Sequence, residues 1–365
     1  MKQKNSWIIV IIIICSLFIV QSNICSSPAL LNFDLPFNTF KFNSTQAYDL
    51  IQKQVDLGPR YPGSSGIEKT RHLVASKLLP TGKWEITYQN FSKKWNDEDV
   101  CLVNIICSPK SFNLTQPFFL LMAHYDTRLW ANEDPDLTKR KYPVLGANDG
   151  ASGVAVALEL GKVLLEDYLY SNFKLVFFDG EDQGEIMGWD WLVGSKFFVK
   201  SQEVKNQNLA FAILFDMVAG INATFKREKN SDRYAGELVT KIWNEADELG
   251  LSKYFVNQTG RSIKDDHIPF LEDNIPAIDI IDEFGTRFKP WHTTFDNMTY
   301  IDTNTIEAVG FTLESTLVQL LTSEGWISNF STINFQTHFI VFSLLNITIV
   351  LAIEVIHRKK KQIYL

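Results

Sequence analysis

Cysteine is scarce, with four in 365 residues. Cys15 and Cys25 belong to an apolar leader, which leaves Cys101 and Cys107 for the body of the chain. The run VCLVNIIC reads as one extended strand and would hold those two about 20 Å apart. A disulfide needs Cα atoms within about 7 Å, so no bridge is expected. There is no C-x-x-C pair, so a metal bound here is not held by thiolates. Basic surface is lacking too. The net charge is −7, and no basic stripe exists outside the C-terminal tail, which disfavours nucleic acid as a partner. Internal repeats and low-complexity linkers are also missing. Apolar residues make up 45% and charged residues 21%, which excludes a disordered chain and fits one large domain or two small ones.

Long hydrophobic runs occur only at the ends. WIIVIIIICSLFIV (7–20) follows Lys2 and Lys4 and has the length and charge order of a signal-peptide core. An uncleaved anchor stays open. FIVFSLLNITIVLAIEVI (339–356) precedes His357, Arg358 and Lys359, as a spanning helix with a cytoplasmic basic tail would. Asn346, Thr348 and Glu354 leave an amphipathic helix as the alternative. The expected organisation is a signal peptide or N-terminal anchor over 1–29, an extracytoplasmic catalytic domain over 30–335, and a transmembrane helix with its tail over 336–365. Sequons at Asn43, Asn90, Asn113, Asn222, Asn257, Asn297 and Asn329 agree with a glycosylated protein of the secretory route.

Between the ends, capping and periodicity predict helices over 44–58, 65–80, 150–169, 232–250 and 303–321. Apolar runs predict strands over 84–91, 100–106, 117–123, 173–179, 208–218 and 275–281. Strands apolar on both faces and alternating with helices imply an α/β protein. The expected architecture is a three-layer α/β/α sandwich around a mixed, mostly parallel sheet. In such sheets, sites form beyond the carboxyl ends of the strands. Chemistry-bearing residues collect there: His124 and Asp126, Asp149 before a helix, Glu181 and Asp182, Asp216, and Trp291 with His292. Singly, an Asp before a helix is more often a cap. Asp216 inside an apolar strand needs a partner. Adjacent Glu181 and Asp182 repel one another unless a cation compensates. A histidine and carboxylate set of this kind suits zinc, with one acid binding metal and the other moving protons.

LGPRYPGS (57–64), HYDT, NDGASG, FFDGED, FDMVAG, DDHIPF (265–270) and WHTTFD (291–296) follow the order found in metallopeptidase family 28. That family includes zinc aminopeptidases and animal-type glutaminyl cyclases, and the resemblance covers about 43–323. It implies that Asp149, Asp182 and His292 bind a zinc common to both branches. Glu181 is then the general acid/base. His124 and Asp216 would be second-zinc ligands in an aminopeptidase. In a cyclase Asp216 would instead join Asp265 in a hydrogen-bond network. A cis peptide after Asp149 is a further expectation of the resemblance.

DDHIPFL, with Asp265 and His267, and the Trp291–His292 pair look most like the cyclases. Trp291, His267 and Trp189 are the pocket candidates this implies, although the spacing leaves Trp189 and Trp191 open. One departure is Asp182, where animal cyclases carry Glu. Asp is one methylene shorter, so its backbone must approach the metal more closely. The implied activity is cyclisation of N-terminal Gln on peptides or proteins with one zinc, or aminopeptidase hydrolysis with two. A non-catalytic ectodomain would lack a ligand or Glu181, and none is missing.

Overall fold

The computed structural model describes residues 40–322, apart from 96, 202–203, 205–207 and 283–289. Both apolar ends lie outside the described residues, and so do the leader and C-terminal helix expected there. Among the described residues no helix is long and apolar enough to cross a membrane.

Six strands form the main sheet: β1 (Trp84–Trp95), β2 (Glu98–Pro109), β3 (Phe118–His124), β4 (Phe173–Phe178), β5 (Leu209–Asp216) and β8 (Ala277–Ile281). Their order is β1-β2-β4-β3-β5-β8. β2 pairs antiparallel with both β1 and β4, while β4, β3, β5 and β8 run parallel. The expected mixed, mostly parallel sheet is present. Cys101 and Cys107 lie on the single strand β2 as free thiols.

Alternation along the strands sends side chains to two separate cores. Phe119, Leu121, Phe177, Ile213 and Phe215 point to one face. That face is covered by α1 (Ser44–Asp56), α3 (Ala151–Glu166), α6 (Gly236–Glu248) and α8 (Thr303–Thr322). Leu120, Met122, Val176, Phe178 and Leu214 point to the other, under α4 (Val193–Val199) and α7 (Ile268–Glu272). Close packing of α3 needs its small residues. A Cβ at Gly153 would stand 2.1 Å from the Phe215 carbonyl oxygen. A larger residue there would push the helix, and Asp149 before it, off the sheet.

Helix starts follow side-chain caps. Asn43, one residue earlier than the expected Ser, accepts the Gln46 N–H, and Ser64 caps α2 (Ser65–Leu78). The helix expected over 232–250 is two helices, α5 (Lys229–Tyr234) and α6, broken at Ala235. Glu228 fixes the start of α5. Its carboxylate accepts the N–H of Asn230 at 3.0 Å, of Ser231 at 2.6 Å and of Ile263 at 3.0 Å. A short parallel pair, β6 (Phe225–Arg227) with β7 (Phe255–Thr259), stands outside the main sheet.

Burial alone would raise the Glu228 pKa, but the facing His267 ring and these N–H donors outweigh it and hold it at about 2. A carboxyl depressed below its unfolded value stabilises the fold above that value, and the gain is lost as pH falls toward 2. The full gain is about 3 kcal/mol. In the metal-free protein, Glu228→Gln is therefore expected to be less stable than the parent at pH 6, with the gap narrowing toward pH 3. Guanidinium unfolding at pH 6, 4 and 3 measures this; a gap independent of pH contradicts it.

Candidate metal centre

Each parallel strand delivers its functional residue at the carboxyl end. β3 ends in His124, β5 in Asp216, and β4 runs through Asp179 and Gly180 into Glu181 and Asp182. Asp149 arrives just before α3, where Gly150 takes φ +102° and a Cβ would meet the Asp126 carbonyl oxygen at 2.6 Å. His292 comes from the segment between β8 and α8.

Two triads result, His124–Asp149–Asp216 and Asp149–Asp182–His292, each with its ligand atoms within 4.8 Å of one another and sharing Asp149. His292 Nε2 stands 2.8 Å from Asp182 Oδ1 and 3.7 Å from Asp149 Oδ2. His124 Nε2 stands 3.1 Å from Asp149 Oδ1 and 3.2 Å from Asp216 Oδ1. Tetrahedral zinc with bonds of about 2.0–2.2 Å sets neighbouring ligand atoms roughly 3.3–3.6 Å apart. The two triads differ in how their atoms are satisfied. Asp149 Oδ2 and both oxygens of Asp182 are buried without a hydrogen-bond partner. Asp149 Oδ2 and Asp182 Oδ1 face the His292 imidazole, and the Arg128 guanidinium stays 3.6 Å from Asp182 Oδ1, too far for a hydrogen bond, so the Asp149–Asp182–His292 set fits zinc. In the other triad, His124 and Asp216 are already joined by a hydrogen bond.

Burial dominates the protonation of the site. It lowers His292 well below its ordinary value, favouring the neutral ring that binds metal. Burial raises Glu181 well above the carboxylate range, with Asp265, Asp182 and Asp266 adding to the effect and His124 opposing it. It pushes Asp182 to about 7 against Arg128, and Asp265 to about 8 with help from Asp216. His124 is different: its carboxylate partners outweigh burial and raise it.

Several residues that motif order alone did not assign hold the ligands in place. The Asp126 carboxylate accepts the N–H groups of Glu181 at 3.0 Å and Asp182 at 3.2 Å, and its Oδ1 is 3.6 Å from His124 Nδ1. Asp296 accepts the N–H groups of Asn148 at 2.8 Å and Asp149 at 3.1 Å. Arg60, from the LGPRYPGS motif, donates to the carbonyls of Leu145 and Gly146 at 2.7 Å. Arg128 donates to the Asp182 carbonyl at 2.9 Å. Their signal was present in the sequence: Asp126 lies two residues after one ligand and Asp296 four after another. Asp179 is structural. It pairs with Arg71 at 2.8 Å and accepts the Val103 N–H.

The pocket candidates separate. Trp291 stacks on His292, with centroids 3.6 Å apart, and packs on Met217, Ile263 and Ile281. Trp191, not Trp189, also stacks with that imidazole, at 5.9 Å and 7°, and the Arg128 guanidinium lies 4.8 Å from the Trp191 ring. Trp189 is buried against Trp95 and donates to the Lys94 carbonyl, because its indole N–H needs a partner away from water. His267 is likewise not a pocket wall. It is fully buried, 3.2 Å from Glu228 Oε2 and 3.7 Å from Asp279 Oδ2, between two buried carboxylates. Asp265 does join the centre electrostatically: it is fully enclosed beside Asp216, and each carboxylate acts on the ionisation of the other. All described peptide bonds are trans, including the one after Asp149.

Residues 104–317 match the model of Peptidase family M28. Among curated proteins, the glutaminyl-peptide cyclotransferase of Bos taurus is 28% identical over 307 residues, covering 73% of this chain and 81% of that protein. Among solved structures, a Zn-dependent exopeptidase from Parabacteroides distasonis is 35% identical with a TM-score of 0.70, covering 76% of this chain and 98% of its own. Tannerella forsythia glutaminyl cyclase is 34% identical with a TM-score of 0.70, covering 75% and 98%. With that match over more than half its length, and with a buried donor set that fits the metal, the chain belongs to peptidase family M28 as a zinc-dependent enzyme of the glutaminyl cyclase branch.

Proposed function

We propose that the protein is a glutaminyl-peptide cyclotransferase that works with one zinc, converting N-terminal Gln of peptides or proteins to pyroglutamate and releasing ammonia. The carrying observation is that Asp216 is already hydrogen-bonded to His124, whereas within the Asp149–Asp182–His292 triad three buried carboxylate oxygens have no hydrogen-bond partner. Held by Asp149, Asp182 and His292, zinc would supply Lewis-acid polarisation of the substrate's side-chain amide carbonyl. The substrate's own α-amine forms the new C–N bond, and the old bond to the amide nitrogen breaks. Glu181 accepts one proton from the attacking amine and delivers it to the departing nitrogen, which leaves as ammonia. No water is consumed. Asp216 and Asp265 share a proton and hold the acid/base in place. Trp291 and Trp191 brace the His292 ring and exclude water beside it.

A specific observation favours the second reading, a two-zinc aminopeptidase. A cyclase is expected to turn His124 away from Asp149, yet Nε2 lies 3.1 Å from Asp149 Oδ1. The unpartnered oxygens of Asp149 and Asp182 support one reading and the His124 placement the other. Zinc per chain, measured with activity on Gln-amide and Leu-amide peptides, separates them. The expected result is one zinc, ammonia release from the Gln substrates, and no hydrolysis of Leu-amide. Asp216→Ala is then expected to keep its zinc while losing activity. Two zincs falling to one in that variant would establish the aminopeptidase instead.

The proposed setting is extracytoplasmic, with a leader over 1–29 and a membrane helix over 336–365. Exposure of the sequon residues Asn43, Asn90, Asn113, Asn222 and Asn257 supports it.

A further inference from the structure

The segment 292–296 carries one ligand of the unpartnered triad and holds another. His292 supplies an imidazole, and four residues on Asp296 accepts the N–H groups of Asn148 and Asp149. His292 has φ +54°, in the left-handed region that a bulky side chain adopts only where its surroundings impose it. What faces the segment comes from the stretch 128–145. Glu133 N–H donates to the His292 carbonyl at 3.1 Å. Asp134 is buried, and its Oδ2 accepts both the N–H of Thr294 at 2.9 Å and its hydroxyl at 2.6 Å. Asp134 is itself fixed: Oδ1 accepts the Asp136 N–H at 2.9 Å, and its carbonyl takes Arg140 Nε at 2.9 Å. Asp296 also accepts the Ala147 N–H on its carbonyl at 3.4 Å, while the Thr293 hydroxyl donates locally to the Pro290 carbonyl.

We infer that Asp134 is a positioning residue for the metal centre, strapping the 292–296 segment so that His292 and Asp149 are presented together before metal binds. The inference rests on Asp149, Asp182 and His292 being zinc ligands. Asp134 touches neither substrate nor metal position. Its carboxylate supplies a doubly accepting oxygen that Thr294 cannot replace from within its own segment. Without the strap, His292 is free to leave its left-handed backbone state. Metal binding must then restore that state, and affinity falls.

The test is the zinc dissociation constant by competition with a chromophoric chelator. Residues that orient ligands typically change metal affinity by about 10–100-fold. Asp134→Ala is expected to weaken zinc by about that range, and Thr294→Val by at least about threefold. Thr294→Ser, which keeps the hydroxyl, is expected to restore affinity to within about twofold of the parent. Hydrogen exchange on the metal-free proteins gives a second readout: faster exchange at the Thr294 amide in Asp134→Ala, with the sheet strands unchanged. Zinc affinity of Asp134→Ala within about twofold of the parent overturns the inference. If that variant does not fold, Thr294→Val decides alone, and unchanged affinity overturns it. His292→Ala in the same assay tells the two failures apart. Loss of zinc there with none in Asp134→Ala removes the strap only, whereas zinc retained in His292→Ala removes the ligand assignment as well.

Discussion

Glu181→Gln is expected to keep its zinc and to turn over about 10²–10⁴-fold more slowly, the usual contribution of a positioned acid/base. That range corresponds to roughly 3–5 kcal/mol of barrier. The reason is the division of labour between two adjacent acids. One carboxylate, Asp126, fixes both of their backbone N–H groups, so the turn after β4 is rigid at both positions. Asp182 then stands beside His292, with Oδ1 2.8 Å from Nε2, where it is proposed as a ligand. Glu181 belongs to neither metal triad, and the charges of His124, Asp265, Asp182 and Asp266 act on its buried carboxyl. Gln has the same size and keeps one acceptor oxygen, so binding of substrate and metal should persist. It has no carboxylate to carry a proton, so kcat falls while KM stays within a few-fold. Asp182→Asn is the mirror image and should lose zinc first. Zinc loss in Glu181→Gln with zinc retained in Asp182→Asn would mean that the two roles are reversed.

How far the sequence reaches is seen in these same residues. Strands β3, β4 and β5 are apolar on both faces, as a sheet covered by helices on both sides requires, and their ends fall within two residues of expectation. His124 and Asp216 follow because they end β3 and β5, and Glu181 and Asp182 because they come just after β4; Asp149 and His292 stand on connections, where only their motifs mark them. Short elements were missed. α4 and α7 have seven and five residues, too few to show a helical period, and β6 has three with two of them charged. The break at Ala235 was hidden because α5 and α6 read as one amphipathic run, while the Glu228 cap that sets α5 apart depends on Ile263, far along the chain. Trp189 and Trp191 are two residues apart and chemically alike. Only the packing of Trp191 against Gly184, where a Cβ would stand 2.0 Å from the ring, shows which one turns toward His292. His267 was misplaced for a related reason. The resemblance of DDHIPFL to the cyclases suggests a pocket residue, but Glu228 and Asp279 lie against its ring and it is buried.

Asp149→Asn is expected to leave less than a tenth of a zinc per chain and to reduce activity by three orders of magnitude or more, as removal of several kcal/mol of metal catalysis requires (about 1.4 kcal/mol per tenfold). Asp149 is the one residue common to both triads: Oδ1 faces His124 and Oδ2 faces His292. Its loss therefore disables a one-zinc and a two-zinc centre alike, whereas Asp216→Ala affects them differently. The substitution should not unfold the loop. The backbone at 149 is held by Asp296 and the adjoining carbonyls by Arg60, and none of these contacts uses the Asp149 side chain. Without metal, Asp149 adds a buried negative charge beside Asp216 and Asp296. The neutral amide relieves that repulsion but weakens the 3.1 Å pairing with His124, so the metal-free variant should melt close to the metal-free parent. With zinc the two separate. The parent gains RT ln(1 + [Zn]/Kd), about 4 kcal/mol at a thousandfold excess over Kd, and the variant gains almost nothing. Melting curves of both proteins with and without zinc, read beside metal content, test each part. A variant that still takes up a full equivalent of zinc and shifts its melting temperature as the parent does would place the metal elsewhere.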